Sequence, residues 1–229
     1  MLKNRIITAL AIAFVALAAI FLLPLWAFSL FFLAAAGFGV FEWAGFAGLE
    51  SLRAKLLYTG LFLFMAAGLY LLKAYSADFI GLVSMLWMCA IASILLYPTG
   101  EFLYKNQWFV GALGLDIMLG AWVSLCMLRV HDQGALWLVW LFVLTTATDV
   151  GAYFVGKAFG KNRLAAQLSP GKTWEGAIGG CVIATLICAS ALMFWQSYSL
   201  LSALLLTIAL VCISVFGDLF ESLLKKQVQ

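Results

Sequence analysis

The feature that most constrains the fold is a series of eight long apolar segments distributed along the chain. A helix that spans a membrane needs about 20 consecutive, mostly apolar residues, and most of the segments approach that length. Their repetition predicts an all-α, polytopic integral membrane protein, a bundle of about eight transmembrane helices. The predicted spans are 6–23, 25–41, 56–72, 79–97, 108–128, 135–155, 176–196 and 200–217.

The composition excludes a soluble fold. Hydrophobic residues make up 66% of the 229 residues and charged residues only 10%, whereas soluble domains have about 45–50% and about 25%. We see no internal repeat, low-complexity tract or linker. We therefore expect residues 1–229 to form a single membrane domain.

The basic residues predict the orientation of the chain. If the N-terminus is cytoplasmic, eleven of the 13 Lys and Arg lie inside and only Lys73 and Arg129 lie outside. The positive-inside rule then predicts a multi-pass protein of the cell (inner) membrane with both termini cytoplasmic. Residues 6–23 resemble a signal peptide, but the apolar sequence continues beyond them, which favours a first transmembrane helix. The cytoplasmic set is Lys3, Arg5, Arg53, Lys55, Lys105, Lys157, Lys161, Arg163, Lys172, Lys225 and Lys226.

The longest polar segment is the predicted cytoplasmic loop 156–175. Its glycines allow backbone N–H groups to approach phosphate oxygens. Ser169 is predicted to cap the next helix, with Pro170 at its first position, so that a helix N-terminus faces an anion. Alternatively, the basic residues only determine topology. Those that could neutralise phosphates are Lys157, Lys161, Arg163 and Lys172.

The triplet Gly171-Lys172-Thr173 invites comparison with the end of a Walker A motif. That motif needs a glycine at position 166, where this chain has Ala166, and it needs a preceding strand, which we do not predict. A P-loop NTPase is therefore excluded.

Two aspartates are the strongest candidates for chemistry. Asp149 lies inside the span 135–155, where a carboxylate is costly unless it is paired, metal-bound or hydrated. Asp218 follows the last span on a polar helical stripe. Carboxylates with a hydroxyl suit Mg²⁺, which binds triphosphate. The alternatives are a structural ion pair for Asp149 and an amphipathic helix end, with a Glu221–Lys225 pair, for Asp218. The stripe contains Ser214, Asp218, Glu221, Ser222 and Lys225.

Other polar residues receive no functional role. All five cysteines lie in apolar runs without a C-x-x-C pair, so we expect neither disulfides nor a zinc site. His131 falls in a predicted external loop. The segment 42–55 mixes charged and apolar residues, which predicts an interfacial helix. Asp116 lies within a span without polar neighbours, and the carboxylates expected to be solvated at span ends are Asp78, Glu101 and Asp132.

The predicted cytoplasmic side of the chain contains three motifs. They are Asp149-x-Gly-Ala-Tyr-Phe-x-Gly-Lys-x-Phe-Gly-Lys161, then Ser169-Pro-x-Lys-Thr-Trp-Glu-Gly-x-x-Gly-Gly180, then Ser214-x-x-Gly-Asp-Leu-x-Glu-Ser-x-x-Lys225. Together these motifs resemble bacterial phosphatidate cytidylyltransferase. The resemblance implies a multipass enzyme that transfers CMP from CTP to phosphatidate, with Mg²⁺ as cofactor. By position, it implies a nucleotide site that includes Asp149, Lys172 and Glu175. It also implies that Asp218 is a metal ligand near Ser214, Glu221 and Lys225.

On this basis we assign candidate roles. The catalytic candidates are Asp218, Lys225 and Lys172, with Asp218 as the metal ligand. The expected partners are CTP, phosphatidate and membrane lipid, with a homodimer as a further prediction and no nucleic acid. The substrate-binding candidates are Asp149, Lys157, Ser169, Thr173, Glu175, Ser214 and Glu221.

The resemblance has one departure. The family pattern continues through Lys-Asp, Pro-Gly-His-Gly-Gly and Asp-Arg-x-Asp before a final span, whereas the sequence ends at Gln229, and Lys226 stands where Arg is usual. We therefore expect little or no activity from residues 1–229 alone. The alternatives are a catalytically inactive truncated family member and a membrane transporter. A CDP-alcohol phosphotransferase is disfavoured because its Asp-Gly-x-x-Ala-Arg motif is not found.

Overall fold

The computed structural model describes residues 2–71, 77–100, 104–165 and 168–228. Within these ranges the chain forms eight α-helices and a two-stranded antiparallel sheet between the sixth and seventh helices. The elements are α1 (Leu2–Leu22), α2 (Leu25–Phe46), α3 (Leu52–Leu71), α4 (Ala77–Leu95), α5 (Gln107–Val130), α6 (Gly134–Phe159), β1 (Arg163–Ala165), β2 (Ser169–Thr173), α7 (Trp174–Gln196) and α8 (Leu200–Val228).

The helices have the character of membrane spans. Among the described residues, six helices, α2, α3, α5, α6, α7 and α8, are long and apolar enough to cross a membrane. Helices α1 and α4 contain shorter apolar segments, Ile7–Leu22 and Phe79–Leu95. Large apolar side chains are widely exposed; Phe194, for example, is 91% exposed. Such surfaces are stable in lipid rather than water. The predicted all-α polytopic membrane fold is therefore confirmed.

The contacts divide the chain into two compact units. The first contains Met1–Met88 and Gln107–Val139, and the second contains Cys89–Asn106 and Trp140–Gln229. The expectation of a single membrane domain stays a prediction.

In the first unit, α2 packs against α3 and α5. The Trp43 indole donates a hydrogen bond to the Val110 carbonyl oxygen at 2.9 Å, and the Tyr58 hydroxyl donates to that of Gly111 at 2.5 Å. Both aromatic side chains are buried, so these bonds satisfy polar groups that would otherwise be costly in an apolar interior. The cluster around them comprises Val40, Ala44, Phe62, Ala66, Leu115, Leu119, Trp122 and Val123.

The connection between α2 and α3 differs from the prediction for segment 42–55. Helix α2 continues to Phe46 and α3 begins at Leu52, so the segment contains no separate interfacial helix and that prediction is wrong. The chain turns instead at Gly48, whose φ of +73° favours glycine. Trp43, which the prediction placed in the interfacial helix, is only 8% exposed, and its indole N–H is satisfied within the core.

Several polar residues without a predicted role have clear positions. His131 and Asp132 are exposed in the turn after α5, and His131 Nδ1 lies 3.0 Å from the Asp132 carbonyl oxygen. Asp116 is half-buried, and its Oδ2 has no hydrogen-bond partner in the described part of the chain. The predictions for Lys73, Glu101 and the end of the third span at residue 72 fall outside the described residues.

In the second unit, α7 packs along α8, and the β1–β2 hairpin lies against α7, with β2 also contacting α8. Arg163 pairs with Thr173, and Ala165 pairs with Ser169. The Trp140 indole donates to the Cys188 carbonyl oxygen at 3.0 Å. The hairpin therefore places the second sequence motif directly beside two long apolar helices.

Two glycines of α7 allow close contact with α6. A Cβ atom at Gly176 would lie 2.8 Å from the Ala152 carbonyl oxygen, and one at Gly180 would clash with the Thr148 carbonyl oxygen. Because positions four residues apart share a helical face, the two glycines form one flat surface for α6. This explains the spacing of glycines that follows Glu175 in the sequence.

The polar loop is shorter than predicted, and its described residues include two short strands. Helix α6 extends to Phe159, so that Lys157 belongs to its last turn. The prediction that Ser169 caps the next helix, with Pro170 at its first position, is wrong because both residues belong to β2. The cap is Thr173, whose Oγ1 accepts a hydrogen bond from the Gly176 amide at 3.2 Å.

Candidate functional site

A cavity of about 450 Å³, which we call the polar cavity, lies in the second unit. It is bordered by α6, the hairpin, the start of α7 and the C-terminal half of α8. It brings together residues from all three sequence motifs. The predicted site residues that line it are Asp149, Lys157, Lys172, Thr173 and Asp218.

An ion pair joins two of these elements. Lys172, in β2, pairs its ammonium group with the Asp218 carboxylate on α8. The Lys172 side chain is 24% exposed and that of Asp218 is 51% exposed, so the pair is open to the cavity. Lys172 Nζ also lies 3.4 Å from Ser222 Oγ, one helical turn after Asp218. The pair fixes a positive and a negative group at one wall of the cavity.

Asp149 faces the cavity from α6. Its side chain is exposed, and its charge interacts with those of Asp218 and Lys172. The preceding Thr148 is buried and donates its hydroxyl to the Leu144 carbonyl oxygen at 2.8 Å. Access to the cavity explains how a carboxylate is tolerated within an otherwise apolar helix.

Positive charge also comes from the end of α6 and the start of α7. Lys157 lies in the last turn of α6, with Nζ 5.8 Å from the centre of the Tyr153 ring. Thr173, Gly176 and the first turn of α7 line the cavity. Backbone N–H groups at a helix N-terminus favour anions. The cavity thus offers lysines and a helix N-terminus to a phosphorylated ligand.

Glu175 has a different environment from the one that the resemblance suggests. It does not line the cavity. Its carboxylate accepts hydrogen bonds from the Lys161 amide at 3.1 Å, the Asn162 amide at 3.2 Å and the Asn162 side-chain amide at 2.7 Å. It therefore ties the start of α7 to the turn between α6 and β1.

The remaining predicted site residues do not line the cavity. Ser169 begins β2, opposite Ala165. Ser214 is half-buried on α8, one turn before Asp218. Glu221 and Lys225 form an ion pair with each other at 2.5 Å, and both are more than half exposed. This pair is the one anticipated in the alternative interpretation of the α8 stripe.

The structure adds two residues that were not among the predicted catalytic, metal or substrate-binding residues. Ser222 contacts Lys172, and its hydroxyl donates to the Asp218 carbonyl oxygen at 2.9 Å. Its position four residues after Asp218 had placed it on the polar stripe of the sequence analysis, but its contact with Lys172 was not predicted. Asn162 binds Glu175 across the turn, and no sequence pattern predicts that contact.

Two carboxylates of the cavity are candidate ligands for Mg²⁺. The described residues contain no group of three or more His, Cys, Asp or Glu side chains that could hold a metal ion. Asp149 and Asp218, however, line one cavity. Mg²⁺ usually takes one or two carboxylates and completes its octahedron with substrate phosphates and water. These residues therefore fit a magnesium ion that binds together with a nucleoside triphosphate.

Comparisons with known sequences identify the family of the chain. The sequence model of the cytidylyltransferase family matches residues 3–229. Phosphatidate cytidylyltransferase of Pseudomonas aeruginosa is 37% identical over 229 residues, covering 99% of this chain and 84% of that protein. The Haemophilus influenzae protein of the same name is 32% identical over 252 residues, covering 99% and 87%. No solved structure matches significantly. The chain belongs to the cytidylyltransferase family.

Proposed function

We propose that this protein is a phosphatidate cytidylyltransferase, which transfers CMP from CTP to phosphatidate and releases diphosphate. The observation that carries the proposal is that one cavity, beside apolar helices, is lined by the charged residues Lys172, Asp218, Asp149 and Lys157. The family match and the names of two near full-length relatives support the same reaction.

The reaction follows from the chemistry of its substrates. A phosphate oxygen of phosphatidate attacks the α-phosphorus of CTP and forms a new P–O bond. The bond from that phosphorus to the oxygen bridging to the β-phosphate breaks, and diphosphate leaves with the electron pair. The attacking group belongs to the substrate, so the protein needs no activated Ser or Cys nucleophile.

The side chains of the cavity contribute binding and electrostatic stabilisation. The ammonium groups of Lys172 and Lys157 offset the charge of the triphosphate and the charge that develops on leaving diphosphate. The N-terminus of α7, capped by Thr173, adds the favourable field of its free N–H groups. Asp218 holds Lys172 at the cavity wall through their ion pair.

Mg²⁺ belongs to this proposal as the cofactor. Asp218 would hold it, with Asp149 as the second carboxylate on the cavity wall. When bound, Mg²⁺ supplies Lewis-acid stabilisation of phosphoryl oxygens. The carboxylates of the protein would otherwise repel the triphosphate, so the cation also makes the binding of substrate beside them favourable.

The proposal includes an orientation. We place the protein in the inner membrane with both termini and the cavity on the cytoplasmic side, where CTP is made. The distribution of Lys and Arg supports this orientation. A homodimer remains part of the proposal. The test is the protein mass of the detergent-solubilised particle after the mass of bound detergent has been subtracted.

The test uses membranes from cells that express the complete gene. We expect CTP labelled at its α-phosphate to transfer the label to lipid when phosphatidate is added. CTP labelled at its γ-phosphate should label only released diphosphate. Lipid labelling that is unchanged when diacylglycerol replaces phosphatidate would contradict the proposal, as would labelling from the γ-phosphate.

A further inference from the structure

A second cavity, which we call the apolar groove, lies beside the polar one in the second unit. It has a volume of about 700 Å³, within the roughly 300–1,000 Å³ typical of ligand pockets. The described residues that line it include no charged side chain. It is bounded by residues near the end of α4, by the hairpin, and by α7 and α8; among its lining residues are Tyr97, Leu168, Ile178, Cys181, Cys212 and Phe216.

The two cavities share a wall. Leu164 of β1, Ala177 of α7 and Val215 of α8 line both of them. On one side of these three residues the surface carries Lys172 and Asp218, and on the other it is apolar. A ligand that extends past these three residues from one cavity into the other must have a charged end and a long apolar end.

We propose that the apolar groove binds an acyl chain of phosphatidate while its phosphate lies in the polar cavity. This inference rests on the proposed function and adds to it the place where the lipid binds. The wall formed by Leu164, Ala177 and Val215 contacts the glycerol region, where the charged headgroup gives way to hydrocarbon. Apolar burial in the groove then holds the phosphate oxygen near the nucleotide.

The side chains of the groove suit hydrocarbon. Ile178 and Trp174 are 59% and 54% exposed, so they are available to a ligand. Tyr97 has its ring in the groove, and its hydroxyl accepts a hydrogen bond from Lys226 Nζ at 3.0 Å. This bond satisfies the Tyr97 hydroxyl outside the hydrocarbon, so that the ring is free to pack against an acyl chain.

Photocrosslinking tests where the acyl chain binds. The complete protein is placed in nanodiscs with phosphatidate that carries a diazirine near the middle of one acyl chain. We expect crosslinks at groove residues such as Ile178, Cys212 and Phe216. Unlabelled phosphatidate should suppress them, and phosphatidylcholine should not.

A matched pair of variants on α8 separates the groove from the general lipid-facing surface. Cys212 is exposed and lines the groove, whereas the next residue, Ile213, is 51% exposed and does not. We expect Cys212→Trp to reduce crosslinking at Ile178 several-fold and to raise the KM for phosphatidate. Ile213→Trp should leave both unchanged. The affinity for CTP should be equal in both variants, which controls for folding.

The outcomes distinguish this inference from the proposed function. Equal crosslinking by a phosphatidylcholine probe would overturn the inference, since the groove would then hold bulk lipid. Crosslinks confined to exposed apolar residues outside the groove, such as Leu186 and Phe194, in a preparation that makes CDP-diacylglycerol, would overturn it as well. Selective groove crosslinks without any transfer of CMP would support the lipid site and contradict only the proposed reaction.

Discussion

Lys172 of β2 and Asp218 of α8 form an ion pair that lines the polar cavity. The two residues come from different sequence motifs, and only the fold of the hairpin against α8 brings them together. The exposed side of α8 carries a second pair, Glu221 with Lys225, at 2.5 Å. Helix α8 therefore presents Asp218 to the cavity, whereas its Glu221–Lys225 pair lies outside the cavity.

Lys172 and Lys225 are predicted to contribute unequally to the binding of CTP. Lys172→Ala should weaken CTP binding about 10–100-fold, because hydrogen bonds to charged groups contribute about 1.5–3 kcal/mol. Its effect on unfolding should stay near 0–1 kcal/mol, since the pair is partly exposed. Lys225→Ala removes the same charge outside the cavity and should change CTP affinity little. Calorimetric titration with CTP measures the affinity of each variant. An equal loss of CTP affinity in the two variants would contradict the placement of Lys225 outside the cavity.

Glu175 is predicted to act through the turn that it holds. Glu175→Gln replaces an acceptor of three N–H groups with a weaker one, so the amides of Lys161 and Asn162 should exchange hydrogen faster. Hydrogen exchange followed by mass spectrometry measures this effect. Glu221→Gln is the control, since its carboxylate lies elsewhere. Unchanged exchange at both amides would mean that Glu175 does not order the turn.

The close contact between α6 and α7 predicts that adding a methyl group at this contact strongly destabilises the fold. Gly180→Ala should destabilise the protein by about 1–3 kcal/mol, because its Cβ would clash with the Thr148 carbonyl oxygen. Gly68→Ala on α3 is the control, since no atom lies within 4 Å of its added Cβ. Thermal unfolding in detergent should show a lower midpoint only for Gly180→Ala. Equal midpoints would contradict the close approach of the two helices.

The proposed orientation predicts which loops reach the cytoplasm. In a variant lacking the natural cysteines, Lys161→Cys should react with an impermeant maleimide only after the cells are opened. His131→Cys, in the exposed turn after α5, should react in intact cells. Labelling of position 161 from outside would reverse the topology.

Sequence reasoning predicted the membrane fold well because lipid imposes long apolar helices, whose period and length are visible residue by residue. It failed at the hairpin. Ser169 followed by Pro170 has the pattern of a helix start, yet pairing of Ala165 with Ser169 makes it a strand. Short strands depend on partners that lie apart in the sequence, and local patterns do not reveal them.

The site was predicted in part for a related reason. Asp149 and Asp218 stood out because carboxylates within or next to apolar helices need an explanation. The helical stripe, however, placed Asp218, Glu221 and Lys225 on one face without showing which group lies opposite each turn. Lys225 lies seven residues after Asp218, about 10 Å further along the helix axis, where it pairs with Glu221 while Asp218 meets Lys172. The contact of Lys172 with Ser222 required the fold itself.

The most direct test compares CMP transfer by Asp218→Asn and by the wild-type protein, each expressed from the complete gene. Asp132→Asn, which alters an exposed carboxylate after α5, is the matched control. With saturating Mg²⁺, labelled CTP and phosphatidate, we predict that Asp218→Asn loses about 10²–10³ in rate and that Asp132→Asn keeps the wild-type rate. Wild-type rates of CDP-diacylglycerol formation by Asp218→Asn would contradict the assignment of the polar cavity as the catalytic site.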